Sequence, residues 1–499
     1  MIVSENAPSS PLKSTIQVPG GSSQPPPAYA SYQTTNPVNY QSSAVHLQDV
    51  EPAEPRFIKA FCVAACVWFL CAMLVESSVD LARWRRHGHW VSPNALVGWP
   101  SPGDGEIAEC IGGRDWNFAP LTDAIPEASA GDPAIPGVPQ FPTRKSWPFP
   151  ISARTNFRLP VSSNVLYFLS RGSYASGMVR YETTEEDGNY VKVDVIVNYK
   201  SQSALDRANI CRLSKGDEEN GVGIYTPNHR GGRISEDDRL DFTVNVRFPA
   251  NKTEPNAFRF VKDLRADFSS FAQNIMGMRY APPPQNRIFF QSLNLSTTNA
   301  AITSSDLQSD RVALHTTNGP ITGKYNVSTY LRLETTNNRI DVNVAMTDRA
   351  VECGNPPRLH MRSSNGALQA RIQLFSPKEE GAFDVDATSS NAPLTLQFVE
   401  QPINSTLRVN ARTSSGSANV NLHPAYEGNF TLQTSNSLPQ VQRTVAKDPT
   451  GKGRERHVDY GRNVRNILQG SVWWGHPKKD GLKSDVRVRT SNSPVQLRV

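Results

Sequence analysis

Apolar and polar residues alternate with a period of two over most of the chain beyond about residue 156. Gly177-Met-Val-Arg-Tyr-Glu-Thr183, Tyr190-Val-Lys-Val-Asp-Val-Ile-Val-Asn-Tyr199 and Leu240-Asp-Phe-Thr-Val-Asn-Val-Arg-Phe248 show it clearly. That period puts one face of a strand in a core and the other in water. Turn clusters such as Glu185-Glu-Asp-Gly-Asn189 and His229-Arg-Gly-Gly232 separate the runs. The pattern predicts an antiparallel, sandwich-like β-domain over residues 156–285. Phe258 to Met276 carries its apolar residues at mixed spacing and predicts a short helix, ended by Pro282-Pro-Pro284.

From about residue 286 a phrase returns: two Ser or Thr, then Asn, then one or two small or turn residues, then alternating apolar positions. Leu331-Arg-Leu-Glu-Thr-Thr-Asn337-Asn-Arg-Ile340-Asp-Val342-Asn-Val344 is the cleanest copy. Others are centred on Asn299, Asn318, Asn365, Asn391, Ser415, Asn436 and Asn492, at intervals of 19, 19, 28, 26, 24, 21 and 56 residues. Periods of this size predict a β-solenoid over 286–499, each unit a strand, a corner and a strand. Asn-Gly pairs supply the left-handed backbone that a sharp corner asks for, and the preceding Ser and Thr bond to free backbone groups there. The long interval holds an insertion over 447–470, and the last copy, Val486–Val499, closes the chain. A series of hairpins stacked in a sandwich is the competing architecture.

Upstream the pattern changes twice. Residues 1–55 are rich in Ser, Pro, Gln, Ala and Tyr without apolar periodicity, and read as a disordered tail. Pro25-Pro-Pro-Ala-Tyr29 contains a Pro-Pro-x-Tyr motif, a polyproline II ligand for WW domains through Pro26, Pro27 and Tyr29. Phe57 to Val75 is apolar except for Lys59, and as a helix would span about 28 Å, so 56–81 is expected to be a transmembrane signal anchor. Residues 82–155 are punctuated by Pro, Gly and Trp and predict an extended stalk.

Orientation is contested. Arg83, Arg85 and Arg86 after the span place the C-terminal part inside by the positive-inside rule. Against it, the Pro-Pro-x-Tyr motif works only in the cytosol. Asn-x-Ser/Thr glycosylation acceptors also occur beyond the span, at Asn251, Asn294, Asn326, Asn404 and Asn429, and not in the tail. The expectation is a single-pass membrane protein of the secretory pathway or cell surface with a cytosolic N-terminus.

Composition adds less. The formal net charge of +6 is matched by the stretch from Lys447 to Arg489 alone. There Arg454, Arg456, Arg462 and Arg465, with Tyr460, Trp473 and Trp474, form a candidate patch for acidic glycans or lipid headgroups. No nucleic-acid module is recognisable. Cys110, Cys211 and Cys353 allow at most one intrachain disulfide, which excludes a disulfide scaffold. The sequence holds no nucleophile elbow, phosphate loop, dinucleotide fingerprint or zinc-protease motif, so neither a cofactor nor a metal is expected. His87 and His89 lack a third ligand. Asp306, Asp310, Glu334, Asp341, Asp384 and Asp386 are the carboxylates available for glycoside hydrolysis, although most occupy positions expected to face water.

The Thr/Ser-Thr/Ser-Asn-Gly-x-Ile units resemble the adhesin-like β-strand repeats of bacterial and fungal surface proteins. Their order, from Gly221-Val-Gly-Ile-Tyr-Thr-Pro227 through Asn318-Gly-Pro-Ile-Thr-Gly323 to Thr490-Ser-Asn492, is similar to an uncharacterised family of fungal, mainly basidiomycete, proteins with a domain of unknown function. The resemblance covers about 156–499 and implies a β-rich, solenoid-like fold without assigned site residues. Three functions follow as expectations: a membrane-displayed module for adhesion to a glycan or protein ligand, without catalysis; a membrane-anchored carbohydrate-active enzyme; and an adaptor whose tail recruits a WW-domain protein, such as a ubiquitin ligase.

Overall fold

The computed structural model describes residues 98–113, 115–119, 151–216, 218–228, 235–250, 258–276, 287–349, 355–377, 380–461, 466–476 and 482–499. All of them belong to one compact unit, Val91–Val499. The expected tail, the Pro-Pro-x-Tyr motif and the expected membrane span lie outside the described residues. Among the described residues no helix is long and apolar enough to cross a membrane.

The described part of the chain is all-β, and its strands stack in parallel into two sheets facing each other. Each coil lays one strand in the first sheet, turns at a Ser/Thr-Asn corner, and lays the next in the second sheet. In the first sheet Phe258–Phe268, Arg287–Thr297 and the C-terminal halves of Ile302–Thr316 and Ile321–Thr335 pair in parallel. The ladder continues through Arg358–Ser363, Ala382–Ser389 and Thr406–Arg412. The second sheet runs in step through Phe271–Ile275, the N-terminal halves of Ile302–Thr316 and Ile321–Thr335, Ile340–Thr347, Leu368–Phe375, Leu394–Glu400 and Ala418–Asn421. Stacked coils hold, and stacked hairpins do not: the ladders are parallel. Inward side chains such as Leu331, Leu359, Val385, Ile340, Leu368 and Leu394 are buried in one core that extends from Trp116 to Val499.

The boundary expected at 285 does not separate two domains. Val165–Arg171 and Ala175–Asp187 pair in parallel with Phe258–Phe268 and Phe271–Ile275, so they are coils of the same stack. Among the described residues antiparallel pairing is confined to the outermost strands. Glu106–Gly112, Asn209–Lys215 and Glu219–Tyr225 cap the first sheet. Asn117–Ala119, Ile151–Pro160, Tyr190–Tyr199 and Leu240–Ala250 cap the second. The helix expected within 258–276 is instead two strands, and its mixed spacing comes from the Ser269-Ser270 corner between them. The described part of the expected stalk is folded onto this cap: Trp116 is buried in the core, and Cys110 is bonded to Cys211 opposite it.

The last copy lies inside the stack, between two coils that precede it in sequence. Ser484–Thr490 lies between Thr406–Arg412 and Gly428–Thr434, and Val495–Arg498 lies between Ala418–Asn421 and Gln440–Gln442, parallel on both sides. The chain therefore lays down its outermost coil first, leaving a slot one strand wide, and fills that slot with its C-terminus. The intervening hairpin, Arg456–Tyr460 with Ile467–Trp474, pairs antiparallel with Gly428–Thr434 and covers the far edge of the first sheet. Covering that edge removes a template for strand addition.

Candidate functional site

The corners are the most regular part of the stack. Asn318 Nδ2 donates to Asn299 Oδ1, Asn337 to Asn318, Asn365 to Asn337 and Asn391 to Asn365, each at 2.7 Å. The ladder breaks at Ser415 and resumes where Asn436 donates to Asn492 at 2.8 Å. Inside it runs a buried hydroxyl row. Thr316 Oγ accepts from the Gly319 amide and donates to Ala300 O in the preceding coil; Ser363 and Thr413 repeat both bonds. The expected left-handed corner is absent, for φ is not positive at Gly319, Gly366 or Gly416. These residues are glycine because of close approach. A Cβ would stand 1.7 Å from Ala300 O at Gly319, 1.7 Å from Asn338 O at Gly366 and 2.1 Å from Ala392 O at Gly416.

This frame fixes what the outer face of the first sheet displays. Strands in register set outward side chains in rows perpendicular to the chain, roughly 4.8 Å apart. One row reads Tyr330, Arg358, Asp384, Arg408, Asp485 and the next Arg332, His360, Asp386, Asn410, Arg487. A third reads Glu334, Arg362, Thr388, Arg412, Arg489. The first two rows and Arg412 line an open trough of about 710 Å³. The inserted C-terminal coil supplies Asp485 and Arg487, so the trough is complete only because that coil is out of sequence order. On the outer face of the second sheet one row, Thr322, Asp341, Gln369, Thr395, Asn419, Gln496, holds a single charge, and the next, Lys324, Asn343, Arg371, Gln397, Asn421, Arg498, holds three cations and no carboxylate.

Charges in the trough are partly paired. Arg332 Nη2 lies 2.8 Å from Glu334 Oε1, Arg358 Nη2 3.4 Å from Asp384 Oδ2, and Arg487 Nε 2.7 Å from Asp485 Oδ2. His360 and His315 flank Glu334 at 3.6 and 3.8 Å. Arg412 Nε donates to Asn410 Oδ1 at 3.0 Å. Arg408 stands between Asp384 and Asp485, and among the described residues no carboxylate lies within ion-pair distance of it. The side chains of Arg332, Arg358 and Arg487 are 50%, 61% and 57% exposed, which leaves donors open to a ligand.

The carboxylates named from sequence separate into groups. Glu334, Asp384 and Asp386 share this face. Asp341 faces outward from the second sheet, and Asp310 accepts from Ser328 Oγ at the return between sheets. Among the described residues no three His, Cys, Asp or Glu side chains group as a metal site.

Of the expected anionic-ligand patch, Arg454 and Arg456 are described, and both lie over the Trp474 ring. The Arg454 guanidinium reaches Asp448 Oδ1 at 3.0 Å and Glu427 Oε1 at 3.2 Å, and its charge is paired within the protein. Arg456 lies over the Trp474 ring at 5.6 Å; burial pushes its guanidinium down from the ordinary arginine value. Trp473 stacks on His457 and is turned away from Trp474. Arg462 and Arg465 lie outside the described residues. Of the glycosylation acceptors, Asn294, Asn326, Asn404 and Asn429 are exposed, and Asn251 lies outside the described residues. Sequence reasoning missed the trough because its arginines come from separate repeats. The signal was present in Arg358-Leu-His-Met-Arg362 and Arg408-Val-Asn-Ala-Arg412, which place two arginines on one face of a strand.

No protein-family profile matches the sequence, and no curated protein matches it. Among the solved structures to which the chain is similar are three from bacteria. One is a candidate cell adhesion protein from Clostridium sporogenes, 9% identical, covering 70% of this chain and 99% of that one, with a TM-score of 0.16. Another is a candidate adhesin from Bacteroides fragilis, 7% identical, covering 70% and 97%, with a TM-score of 0.26. The third is a candidate adhesin from Parabacteroides merdae, 10% identical, covering 54% and 90%, with a TM-score of 0.18.

Proposed function

We propose that this chain is a single-pass membrane protein that presents its β-solenoid on the non-cytosolic side as an adhesion or ligand-binding module. The observation that carries the binding role is the charged trough. Its side chains are held in rows by a rigid frame, its arginines are exposed, and it gathers cations and carboxylates around one concavity, where the opposite face carries separate cations. Placement outside the cytosol is supported by the Cys110–Cys211 bond, because disulfides persist in oxidising compartments. The exposure of Asn294, Asn326, Asn404 and Asn429 supports it too. Membrane attachment rests on the apolar run from Phe57 to Val75.

Two measurements test the reading. Glycosidase treatment of the full-length protein should lower its mass; an unchanged mass rejects non-cytosolic display. Capture of glycan or protein ligands by the full-length chain should weaken when Arg408 and Arg412 are replaced by Ala; equal capture removes the trough from the function.

A second reading, a carbohydrate-active enzyme, is favoured by one observation: Asp384 and Asp386 share the trough two residues apart, about 6.6 Å along the strand. Release of reducing ends that Asp386→Asn abolishes would establish it, and its absence from polysaccharide panels would end it. The adaptor reading rests on Pro26, Pro27 and Tyr29. Pull-down of WW-domain partners that survives Tyr29→Ala would dispose of it.

A further inference from the structure

One cross-strand pair on this face departs from the charge pattern around it. Arg412 and Arg489 stand directly opposite each other in the third row, on neighbouring parallel strands roughly 4.8 Å apart. Like charges so placed destabilise a sheet. Elsewhere in the described ladders Arg and Lys side chains oppose one another at Arg158, Lys192 and Arg247, and there Glu182, Glu186 and Asp194 lie among them in ion pairs. Arg412 and Arg489 have no such relief. Their neighbours along the row are Thr388 and Gln433, both uncharged. The carboxylates of the nearest strands are engaged elsewhere: Asp384 with Arg358, Asp485 with Arg487, and Asp386 with Thr388 Oγ. Arg412 donates through Nε to Asn410 Oδ1 and is otherwise exposed. Arg489 Nε is closed off from solvent and finds no hydrogen-bond partner among the described residues. Two cations held side by side without a counter-charge break a local rule, as functional sites do.

The counter-charge that such a pair accepts follows from its donors. One guanidinium fork is filled by the two oxygens of a carboxylate. Two forks side by side suit a group with more oxygens. A sulfate or phosphate monoester is tetrahedral, has three free oxygens and can be shared between both forks. A phosphodiester has two free oxygens and fills one. Arg412 also lines the trough, so the molecule that bears the ester lies over it.

On the reading that the trough is the ligand-binding face, we infer that Arg412 and Arg489 seat a tetrahedral oxyanion, a sulfate or phosphate monoester carried by the trough's ligand. The seat is built by the inserted C-terminal coil: Arg489 belongs to Ser484–Thr490, which lies beside Thr406–Arg412 out of sequence order.

The test is calorimetric titration of the detergent-solubilised full-length chain with galactose 6-sulfate and mannose 6-phosphate, whose relative affinities tell which ester is preferred. Galacturonate, galactose and a dinucleoside monophosphate, which carries a single phosphodiester, are the comparisons. At least one monoester should bind tenfold or more tightly than any of these three. Arg412→Ala with Arg489→Ala should remove that preference. Arg412→Lys with Arg489→Lys keeps both charges and loses the forks, and should weaken the monoester at least threefold; it reads the seat even where the Ala pair weakens the fold. Arg371→Ala, exposed on the second sheet, should change nothing. Equal binding of galacturonate and the monoesters overturns the inference, as does monoester binding that survives the Ala pair. Glycan or protein capture that Arg408→Ala weakens and Arg489→Ala does not also overturns it, while the trough remains a ligand face. Capture indifferent to Arg408→Ala, Arg412→Ala and Arg489→Ala together overturns both readings.

Discussion

Replacing Gly366 by Ala tests the reason for the corner glycines, because two explanations give opposite signs. At a glycine whose φ an L-residue can adopt, Ala restricts the unfolded chain and stabilises by about 0.4–1 kcal/mol. Gly366 has no positive φ, so conformation alone predicts a gain. Close approach predicts a loss. The new Cβ would stand 1.7 Å from Asn338 O and 2.0 Å from its carbon, where ordinary contact begins near 3.4 Å. Both neighbours are backbone, so relief requires two coils to separate. Separation stretches the 3.2 Å bond from Ser363 Oγ to Asn338 O and the 2.7 Å bond from Asn365 to Asn337. Overpacking costs about 1–3 kcal/mol and two weakened hydrogen bonds about 0.5–1.5 kcal/mol each, so the expected loss is roughly 2–6 kcal/mol. Gly461→Ala is the reference, since nothing lies within 4 Å of its added Cβ. The assay is urea denaturation of both variants, with hydrogen exchange read at the Asn365 and Gly366 amides. A Gly366→Ala protein as stable as the Gly461→Ala reference refutes the close-approach argument.

Three further outcomes are expected. Deleting Ser484–Val499 removes Val486, Val488, Val495 and Leu497, all fully buried and each worth about 1.5–3 kcal/mol, so limited proteolysis should cut within 422–475 while the coils before residue 400 resist; full resistance would place the last coil elsewhere. Cys110→Ser should cost the N-terminal cap about 2–4 kcal/mol, seen as a lower urea midpoint, and peptide mapping under non-reducing conditions should recover Cys110 joined to Cys211; Cys353 joined to either would contradict the pairing. Hydrogen bonds from the Arg454 side chain, which outweigh burial, hold the Asp448 carboxyl well below its ordinary value of 3.8. A carboxyl lowered on folding stabilises fully above its unfolded value and loses that contribution as pH falls through its folded one. Asp448→Asn should therefore lower the melting midpoint at pH 7, with a gap to wild type that narrows below about pH 3.8; a gap constant down to pH 2 would deny the carboxylate its role.

Much of the stack was legible because corners and strands have local signatures. Thr-Thr-Asn marks a corner whatever packs behind it, and period-two alternation marks a strand. What is not local was misread. The alternation of residues 177–248 is the same for a parallel and an antiparallel partner, so coils and caps of one stack looked like a separate sandwich. The interval of 56 residues between Asn436 and Asn492 registered as an insertion, but no residue in it tells that Asn492 stacks beneath Asn436 rather than beyond it. The trough shares this cause, since Arg408 and Arg487 are neighbours only through that insertion. Arg454 shows the converse: a basic run reads as a surface patch until Asp448 and Glu427 are seen beside it.

Cross-linking of paired cysteines addresses the order of coils most directly, because both the frame and the trough depend on it. Cysteine pairs introduced at Asn436 and Asn492, and at Ser415 and Asn492, should form disulfides in the folded full-length protein, while the pair at Ser415 and Asn436 should not. A bond between Ser415→Cys and Asn436→Cys, with none to position 492, would mean that the C-terminus lies outside the stack and that the trough ends at Arg408.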